Sequence, residues 1–451
     1  MRTNSSAKII SYNLYNENIC ASAAKISTTK GNAYEIFEKS DSIEKNRELI
    51  KKVLSSGHKS IIEHAVFTIA LQNVSAFVEQ FFIEYRLASF TVKSRRYVDF
   101  SNLGYYTPPE LSGDSLKNYT EYMDMLFSSY QLMLDEGVPK EDARFLLPYS
   151  FNSNFYCTMN ARELIHVIHA IRYGRGCMIY ELQSLAIQLI NQLEVLCPSL
   201  LSELYSPNDA FNDVTSIEHI KDRNDAVTFV EAHDAGRVEL VQEPHCPKNI
   251  LQKAYEISHP DVPHSLDFKT LLQSNRLREL EQLTYSFIIS DISLSGITHI
   301  VRHRMQSIIV PPLQSINYDK FIIPETVQSN PHLMNKYKNI LIKANEMRRN
   351  ALNDPDLSKY HYYYALSGNV TNIITTINAR ELILFIRLRS CNRAQWEIRK
   401  VAMDMLKYAR VNFPEIFNFI GPSCYITGQC PEGRLTCGKK NEVIVQFKQI
   451  Q

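Results

Sequence analysis

The sequence predicts an α+β fold made of two tandem repeats, each a small antiparallel sheet with long helices. The hexapeptide Asn-Ala-Arg-Glu-Leu-Ile begins at Asn160 and again at Asn378. The same offset of 218 residues relates Glu63 to Glu281. A constant offset over about a hundred residues indicates an internal duplication rather than chance. Strands followed by long helices, without repeated strand–helix alternation, favour the α+β class.

Each repeat shows strand-like alternation of apolar residues after its shared glutamate, at 65–71 and at 285–289. Asn160 and Asn378 each stand three residues before a glutamate, the spacing of a helix N-cap and its capping-box partner. Near the end of the second repeat, four apolar residues follow the i, i+3, i+4, i+7 pattern of one helix face. These are Ile398, Val401, Ala402 and Met405.

The chain has 451 residues, enough for two or three domains. We divide it into a first repeat at 7–205, a polar connection at 206–236, a second repeat at 237–420 and a cysteine-containing tail at 421–451. Each repeat is long enough to bury a core of its own.

Composition excludes several broad functions. The 49 Lys and Arg balance 48 Asp and Glu, so no overall charge favours nucleic-acid polymers or membranes. An anionic ligand must therefore be held by a local arginine cluster. The first residues lack the apolar core of a signal peptide, and no segment reaches transmembrane length. Nine cysteines in a chain this long do not suggest a disulfide framework, so we expect a cytoplasmic protein.

Basic residues cluster at equivalent places in the two repeats. Arg302-His303-Arg304 follows the apolar segment 297–301. The first repeat has Glu84-Tyr85-Arg86 at that position, and Ser94-Arg95-Arg96-Tyr97 follows seven residues later.

A wider set of motifs surrounds these clusters. A His-x-x-x-x-Glu-His segment starts at His58, and Asn-Ala-Arg, Leu-Arg and Ala-Gln-Trp-Glu-Ile segments lie within 378–398. The whole set resembles the flavin-dependent thymidylate synthase family, and the resemblance covers nearly the entire chain, twice over. It implies reductive methylation of the uracil C5 of dUMP. Methylenetetrahydrofolate supplies the carbon, and FAD, reduced by NADPH, supplies the electrons.

The two repeats have lost different parts of the family pattern. The second keeps Arg302-His303-Arg304 but has Ser315-Ile316-Asn317-Tyr318 instead of Ser-x-Arg-Tyr, after ten residues rather than seven. The first keeps Ser94-Arg95-Arg96-Tyr97 but has lost Arg-His-Arg. Family subunits usually carry one repeat and form homotetramers with sites where subunits meet. We therefore expect one composite active site per chain, and a homodimer that forms a pseudo-tetramer of repeats.

The resemblance implies a role for each site residue. The nucleotide phosphate would be bound by Ser94, Arg95, Arg96 and Arg144. Planar guanidinium groups suit this task because they combine charge with bidentate geometry. FAD would be bound by Arg302, His303, Arg304 and Asn378, together with His58, Ser60 and Glu63. Arg389 would bind and polarise the pyrimidine, and His303 would pack on flavin or folate. No protein nucleophile is required.

Other interpretations stay open at this point. Asn378 could serve only as a helix cap, and Glu63 could be a structural carboxylate. His299 stands where the family commonly has Gln, and Pro311-Pro312 lengthens the following loop. These departures leave room for flavin-dependent C5-alkylation of another pyrimidine nucleotide. A non-catalytic flavin- or nucleotide-binding protein is the second alternative, although retention of complementary half-sites argues against it.

The tail spaces Cys424, Cys430 and Cys437 by six and seven positions. Such a cluster could bind zinc, but the sequence shows no evident fourth ligand, and the metal prediction is left undecided.

Overall fold

The computed structural model describes residues 4–205, 226–261, 266–273 and 277–449. Most of the expected connection at 206–236 thus lies outside the described residues. Among the described residues, the chain forms two compact units. The first contains 4–135, 147–205 and 346–365, and the second contains 136–146, 226–345 (with the gaps given above) and 366–449.

Each unit contains a four-stranded antiparallel sheet, in agreement with the small antiparallel sheet expected for each repeat. In the first unit the strand order is β1-β2-β4-β3, and in the second it is β6-β7-β10-β8. A short parallel pair, β5 with β9, also lies in the second unit. The strands are β1 (Ser6–Tyr12), β2 (Val66–Ser75), β3 (Ala88–Val92), β4 (Asn152–Asn160), β5 (Thr228–Glu231), β6 (Arg237–Gln242), β7 (Thr284–Ser293), β8 (Gln306–Ile309), β9 (Lys320–Ile323) and β10 (Val370–Asn378).

Helices account for most of the remaining regular structure. They are α1 (Asn16–Ile26), α2 (Ala33–Glu38), α3 (Ile43–Ser55), α4 (Ala76–Ile83), α5 (Gly113–Asp135), α6 (Lys140–Ala143), α7 (Ala161–Arg172), α8 (Tyr180–Leu196), α9 (Leu201–Tyr205), α10 (Pro247–Ser258), α11 (Phe268–Gln273), α12 (Leu294–Ile300), α13 (Glu325–Gln328), α14 (Pro331–Leu352), α15 (Pro355–Ser358), α16 (Ala379–Arg389), α17 (Trp396–Asn412), α18 (Pro414–Phe417), α19 (Ser423–Thr427) and α20 (Lys440–Gln449). No helix in the described part of the chain is long and apolar enough to span a membrane.

Local predictions are confirmed in both sheets and in the long helices. The alternating segments become β2 and β7, and the apolar faces of these strands are buried. Asn160 and Asn378 cap α7 and α16, since each side chain accepts a hydrogen bond 2.9 Å long from the amide three residues later. The predicted apolar face of α17 is buried along its length.

The two sheets share a backbone irregularity. Asn73 in β2 and Asp291 in β7 have positive φ angles of 52° and 56°, at bulges in the strand pairing. The amides of these residues are bound by the side chains of Asn154 and Asn372, at 3.1 and 3.0 Å. Each residue of the first pair lies 218 residues before its counterpart in the second pair. Asn and Asp tolerate the left-handed region better than most residues, which explains their use here.

A buried glutamate joins the long helix to the sheet in each unit. Glu181 at the start of α8 accepts hydrogen bonds from the amide and hydroxyl of Ser75, at 2.8 and 2.6 Å. Glu397 at the start of α17 does the same with Ser293, at 2.6 Å for both. Burial raises the pKa of Glu397 to about 6, although the two bonds from Ser293 oppose the shift.

The units do not follow the repeat boundaries that the sequence predicts. Residues 136–146 of the first repeat belong to the second unit, and 346–365 of the second repeat belong to the first unit. With the offset of 218, Phe145 and Tyr363 are equivalent positions. Each unit therefore includes one segment from the other predicted repeat, and we call these two the exchanged segments.

Hydrogen bonds fix each exchanged segment in its unit. In the second unit the Trp396 indole donates to Asp142 at 2.8 Å, and the Gly368 amide donates to the Phe145 carbonyl at 2.9 Å. In the first unit the Tyr363 hydroxyl donates to Glu181 at 2.7 Å. Local sequence patterns contain no signal for this exchange.

Candidate active site

The basic turn Arg302-His303-Arg304 lies between α12 and β8 in the second unit. Its side chains alternate in direction. Arg302 and Arg304 are exposed, whereas His303 is buried, with 5% of its surface accessible. The turn thus presents two guanidinium groups outward and one imidazole inward.

His303 lies between two charged residues of α16. The Glu381 carboxylate is 3.0 Å from its Nδ1 atom, and Nε of Arg389 donates to its Nε2 atom at 3.1 Å. Phe385 packs edge-on against the ring, with centroids 4.9 Å apart. These three helical residues are spaced at i, i+4 and i+8, so α16 presents them along one side.

The two partners determine the protonation of His303. A guanidinium group only donates hydrogen bonds, so Nε2 must accept the bond from Arg389 and carry no proton. The ring proton is therefore assigned to Nδ1, from which it is donated to Glu381. Burial lowers the pKa of His303, and the nearby charge of Arg389 lowers it further, against the opposing effect of Glu381. The imidazole is consequently neutral near pH 7.

Glu381 has a different role from the one its position suggests. The spacing from Asn378 predicts a capping box, in which the glutamate side chain returns to the N-cap amide. The Asn378 half of the box is formed, but the Glu381 carboxylate bonds His303 instead. Asn378, expected to bind flavin, uses its side-chain oxygen to cap α16. The helix cap thereby places the carboxylate beside the imidazole.

Arg389 ends α16 and is half-buried. Besides its bond to His303, its Nη2 atom lies 3.5 Å from the His299 carbonyl, a long contact. The structure thus brings together three residues expected from the sequence, His303, Arg389 and Asn378, with one that was missed as a site residue, Glu381.

In the first unit, His58, Ser60 and Glu63 lie together around the short 3-10 helix Lys59–His64 and are exposed. Glu63 forms an ion pair with Arg162, at 2.5 Å. The equivalent pair in the second unit is Glu281 with Arg380. Because both units have it, this pair belongs to the duplicated scaffold.

A cavity of about 400 Å³ opens beside this pair in the first unit. Its polar lining consists of Lys59, Glu63, Asn160, Arg162, Glu163, His166, His169 and Glu203. Lys59 pairs with Glu203 at 3.3 Å, so acidic and basic groups are matched within the lining.

Ser94 and Arg96 are half-exposed on the turn that follows β3, and the Arg96 amide donates to the Ser94 hydroxyl at 3.3 Å. Both side chains are therefore accessible, as a phosphate site requires.

Arg95 differs from its neighbours Ser94 and Arg96 in its burial. It is buried, forms an ion pair with the fully buried Glu79, and lies over the Phe151 ring at 4.9 Å. Its guanidinium is the counter-charge for a buried carboxylate, and the substrate contact expected of Arg95 stays a prediction. A buried carboxylate needs such a partner to offset its loss of hydration.

Arg144 is also buried, and its Nε atom donates to the Glu141 carbonyl at 3.0 Å. It belongs to the second unit, whereas Ser94 and Arg96 belong to the first. From the sequence, Ser94, Arg96 and Arg144 are all expected to bind the nucleotide phosphate in the first repeat. A role for Arg144 at the nucleotide phosphate stays a prediction.

The tail contacts the end of α16. Ser423 bonds Arg387 at 3.1 Å, and the Asn392 side chain lies 3.9 Å from the Cys437 sulfur. Burial raises the pKa of the Cys391 thiol, and nearby Glu432, Cys437 and Cys430 raise it further. Cys391 is thus a neighbour of the tail cysteines that spacing could not reveal. Even so, among the residues that the structure describes, no three His, Cys, Asp or Glu side chains are arranged to hold a metal ion.

Comparison with known proteins matches the chain in two regions. A family model described as thymidylate synthase complementing protein matches residues 8–199 and 249–415. A flavin-dependent thymidylate synthase of Geobacter sulfurreducens is 33% identical over 199 residues, which cover 43% of this chain and 84% of that relative. Relatives with the same description from Saccharolobus solfataricus and Clostridium tetani are 25% and 30% identical, over 92% and 86% of their own lengths.

A solved structure is also similar, a UMP/dUMP methylase PolB from Streptomyces cacaoi bound with 5-Br dUMP. It is 24% identical, with 45% of this chain and 95% of that chain covered, but its TM-score of 0.38 is too low to support an argument. The family match does not depend on it. Matched over more than half of its length, this chain belongs to the thymidylate synthase complementing protein family, an enzyme family whose curated relatives are flavin-dependent thymidylate synthases.

Proposed function

We propose that this chain converts dUMP to dTMP by reductive methylation, using FAD, methylenetetrahydrofolate and NADPH. Family membership supports the reaction class. The observation that carries the proposal is the half-buried Arg389 guanidinium, bonded to the neutral His303 beside a basic turn.

The basic turn fits a flavin dinucleotide. Arg302 and Arg304 are exposed on either side of a buried residue, and a pyrophosphate is well matched by such guanidinium donors. When bound, FAD supplies the electrons that reduce the transferred carbon to a methyl group. The residues of the chain bind and orient the reactants.

Arg389 would stabilise negative charge that develops on the uracil ring as C5 becomes nucleophilic. Its guanidinium is charged at every relevant pH, and a fixed donor aimed at developing charge is effective because it needs no reorganisation. The carbon unit arrives on C5 and the C5 proton leaves, so the product is dTMP and the folate leaves as tetrahydrofolate. This scheme requires no covalent bond to the protein.

Ser94 and Arg96 are proposed to bind the nucleotide phosphate. Both are half-exposed on one turn of the first unit, and together they offer a hydroxyl and a guanidinium. Because the second repeat has lost this arginine and the first has lost Arg-His-Arg, we propose one complete site per chain.

Another pyrimidine nucleotide is the second candidate substrate. The loop after Arg304 is three residues longer than the family spacing, and it forms strand β8 and a 3-10 turn at Leu313–Ser315. A rebuilt loop at this position could change which base is accepted.

The test is a substrate panel with FAD-loaded protein, NADPH and isotopically labelled methylenetetrahydrofolate. Mass spectrometry would follow methylation of dUMP, UMP and dCMP in parallel, with Arg389→Ala as the inactive control. We expect labelled dTMP from dUMP alone. Label in UMP or dCMP would select the second candidate, and no label in any nucleotide would contradict both.

A further inference from the structure

Arg389 is the last residue of α16, where a long side chain has many rotamers available. Its Nε atom is nevertheless fixed by the buried His303 ring at 3.1 Å. His303 is fixed in turn by Glu381 at 3.0 Å and by the edge of Phe385. The chain of contacts runs from a helix-capped carboxylate, through a buried imidazole, to a guanidinium that reaches the surface.

From this geometry we propose that Glu381 and His303 are positioning residues that orient Arg389, and that the ring nitrogens of His303 do not contact flavin, folate or nucleotide. Both nitrogens are already used within the protein. The proposal rests on the proposed function for its catalytic consequence, although the contacts themselves do not. It revises the expectation that His303 packs on a cofactor.

The positions equivalent to His303 and Arg389 hold different residues in the first repeat. With the offset of 218, Tyr85 replaces His303 and Ile171 replaces Arg389, while Glu163 remains in place of Glu381. The Glu163 carboxylate there accepts a hydrogen bond from the Leu87 amide at 3.3 Å. The last residue of α7, Arg172, lies one position later and donates to Gln183 at 3.2 Å. The imidazole is thus present in the repeat whose helix-ending arginine bonds to the turn and absent from the other.

The contact also requires a neutral imidazole. A protonated ring would direct an N–H at the Nε–H of Arg389, so two donors would face each other. Two charged groups contact His303, Glu381 and Arg389 on α16. Arg302 and Arg304 flank it on its own turn, and His299 precedes it on α12. Activity is therefore expected above the usual histidine pKa and lost as pH falls through the lowered pKa of His303.

The decisive experiment is a double-mutant cycle of His303→Phe and Arg389→Ala, measured as kcat and KM for dUMP. His303→Phe removes both ring contacts and should lower kcat by about 10²-fold, the cost of losing one oriented donor. In the Arg389→Ala background the same change should have almost no further effect, because His303 would have nothing left to position. Multiplicative losses would overturn the proposal, since His303 would then act by itself.

His303→Gln is the matched control, because an amide offers one donor to Glu381 and one acceptor to Arg389. It should recover most of the activity and remove the acid limb of the pH profile. FAD titrations of all variants and the thermal melt of His303→Gln should resemble wild type. Loss of FAD affinity in His303→Gln would show a direct cofactor contact.

An independent readout separates this proposal from the proposed function. Selective ¹⁵N labelling of histidine, with His303→Gln used for assignment, reports which ring nitrogen carries the proton. We expect the neutral Nδ1–H form at pH 7.5 without any substrate. The Nε2–H form or a charged ring would overturn the positioning role, even in an active enzyme. The Nδ1–H form in a protein inactive on every nucleotide would leave the contacts standing and contradict the proposed function.

Discussion

The turn at His303 and its counterpart at Tyr85 each lie between a short helix and a strand, but their side chains make different contacts. In the second unit, His303 joins Glu381 to Arg389. In the first, Glu84 replaces Arg302 and pairs with Arg175 at 2.5 Å, and the guanidinium lies over the Phe81 ring at 4.5 Å. One turn presents two arginines outward. The other keeps Arg86 exposed but holds Glu84 in an ion pair, and we call it the closed turn.

Contacts that hold the scaffold did not diverge in this way. The Glu181–Ser75 and Glu397–Ser293 bonds are nearly identical, and so are the paired amides at the two bulges. The comparison indicates that both copies still need these contacts to fold. The basic turn differs between the copies, as the proposed single flavin site per chain requires.

The largest expected effect is a loss of folding when the exchanged segments are separated from the units that contain them. A chain cut between residues 215 and 216 should yield two fragments that do not fold separately, because each unit needs residues from the other repeat. Mixed in equal amounts, the fragments should recover the far-UV circular dichroism and melting transition of the intact protein. A cooperative melt from the first fragment alone would contradict the exchange.

Next in size is the buried pair of Arg95 and Glu79. Arg95→Met leaves the Glu79 carboxylate buried without its counter-charge, which typically costs about 3–5 kcal/mol. We expect a large fall in melting temperature. The double variant Arg95→Met with Glu79→Leu should recover part of the loss, since an apolar pair can replace a buried ion pair.

Arg96→Ala is the matched control for this prediction. Because Arg96 is half-exposed, its removal should leave the melting temperature almost unchanged and raise KM for the nucleotide. A raised KM without destabilisation in Arg95→Met would return Arg95 to the substrate site.

The third prediction compares arginines at the two turns. Arg389→Ala should lower kcat by about 10²- to 10³-fold, as for loss of one preorganised donor to developing charge. Arg175→Ala removes the partner of Glu84 in the closed turn. It should change kcat by less than about threefold and lower stability instead, because the proposed function assigns that turn no catalytic role. Equal losses of kcat would show that both turns serve active sites.

Much of this comparison could be predicted from sequence, because it depends on local patterns. The alternation at 65–71 and the spacing of Asn378 from Glu381 identified a strand and a helix cap. Contacts between segments that are distant in the chain leave no such local pattern in the sequence. The inward direction of Arg95 depends on Glu79, and the role of Glu381 depends on a histidine 78 residues away.

The smallest expected effect is a pH dependence of stability at Glu397. Its pKa is raised from the usual 4.5 to about 6, so the folded state binds a proton more tightly than the unfolded chain. The stabilisation is complete below about pH 4.5 and is lost as pH rises through 6, a difference of about 2 kcal/mol. Glu397→Gln should lack this component. Melting temperatures at pH 5 and pH 7.5, compared between variant and wild type, isolate it, and parallel shifts in the two proteins would contradict the assignment.

The central claim is that duplication left one working site per chain, with its flavin-binding turn in the second repeat. The most direct test is the number of FAD molecules bound per chain, after reconstitution with excess FAD and removal of the unbound flavin. We predict one FAD per chain, abolished by the joint replacement of Arg302 and Arg304 with Ala and retained when Glu84 and Arg175 are replaced together. Two FAD molecules per chain would contradict the account, because the closed turn of the first repeat would then also serve a flavin site.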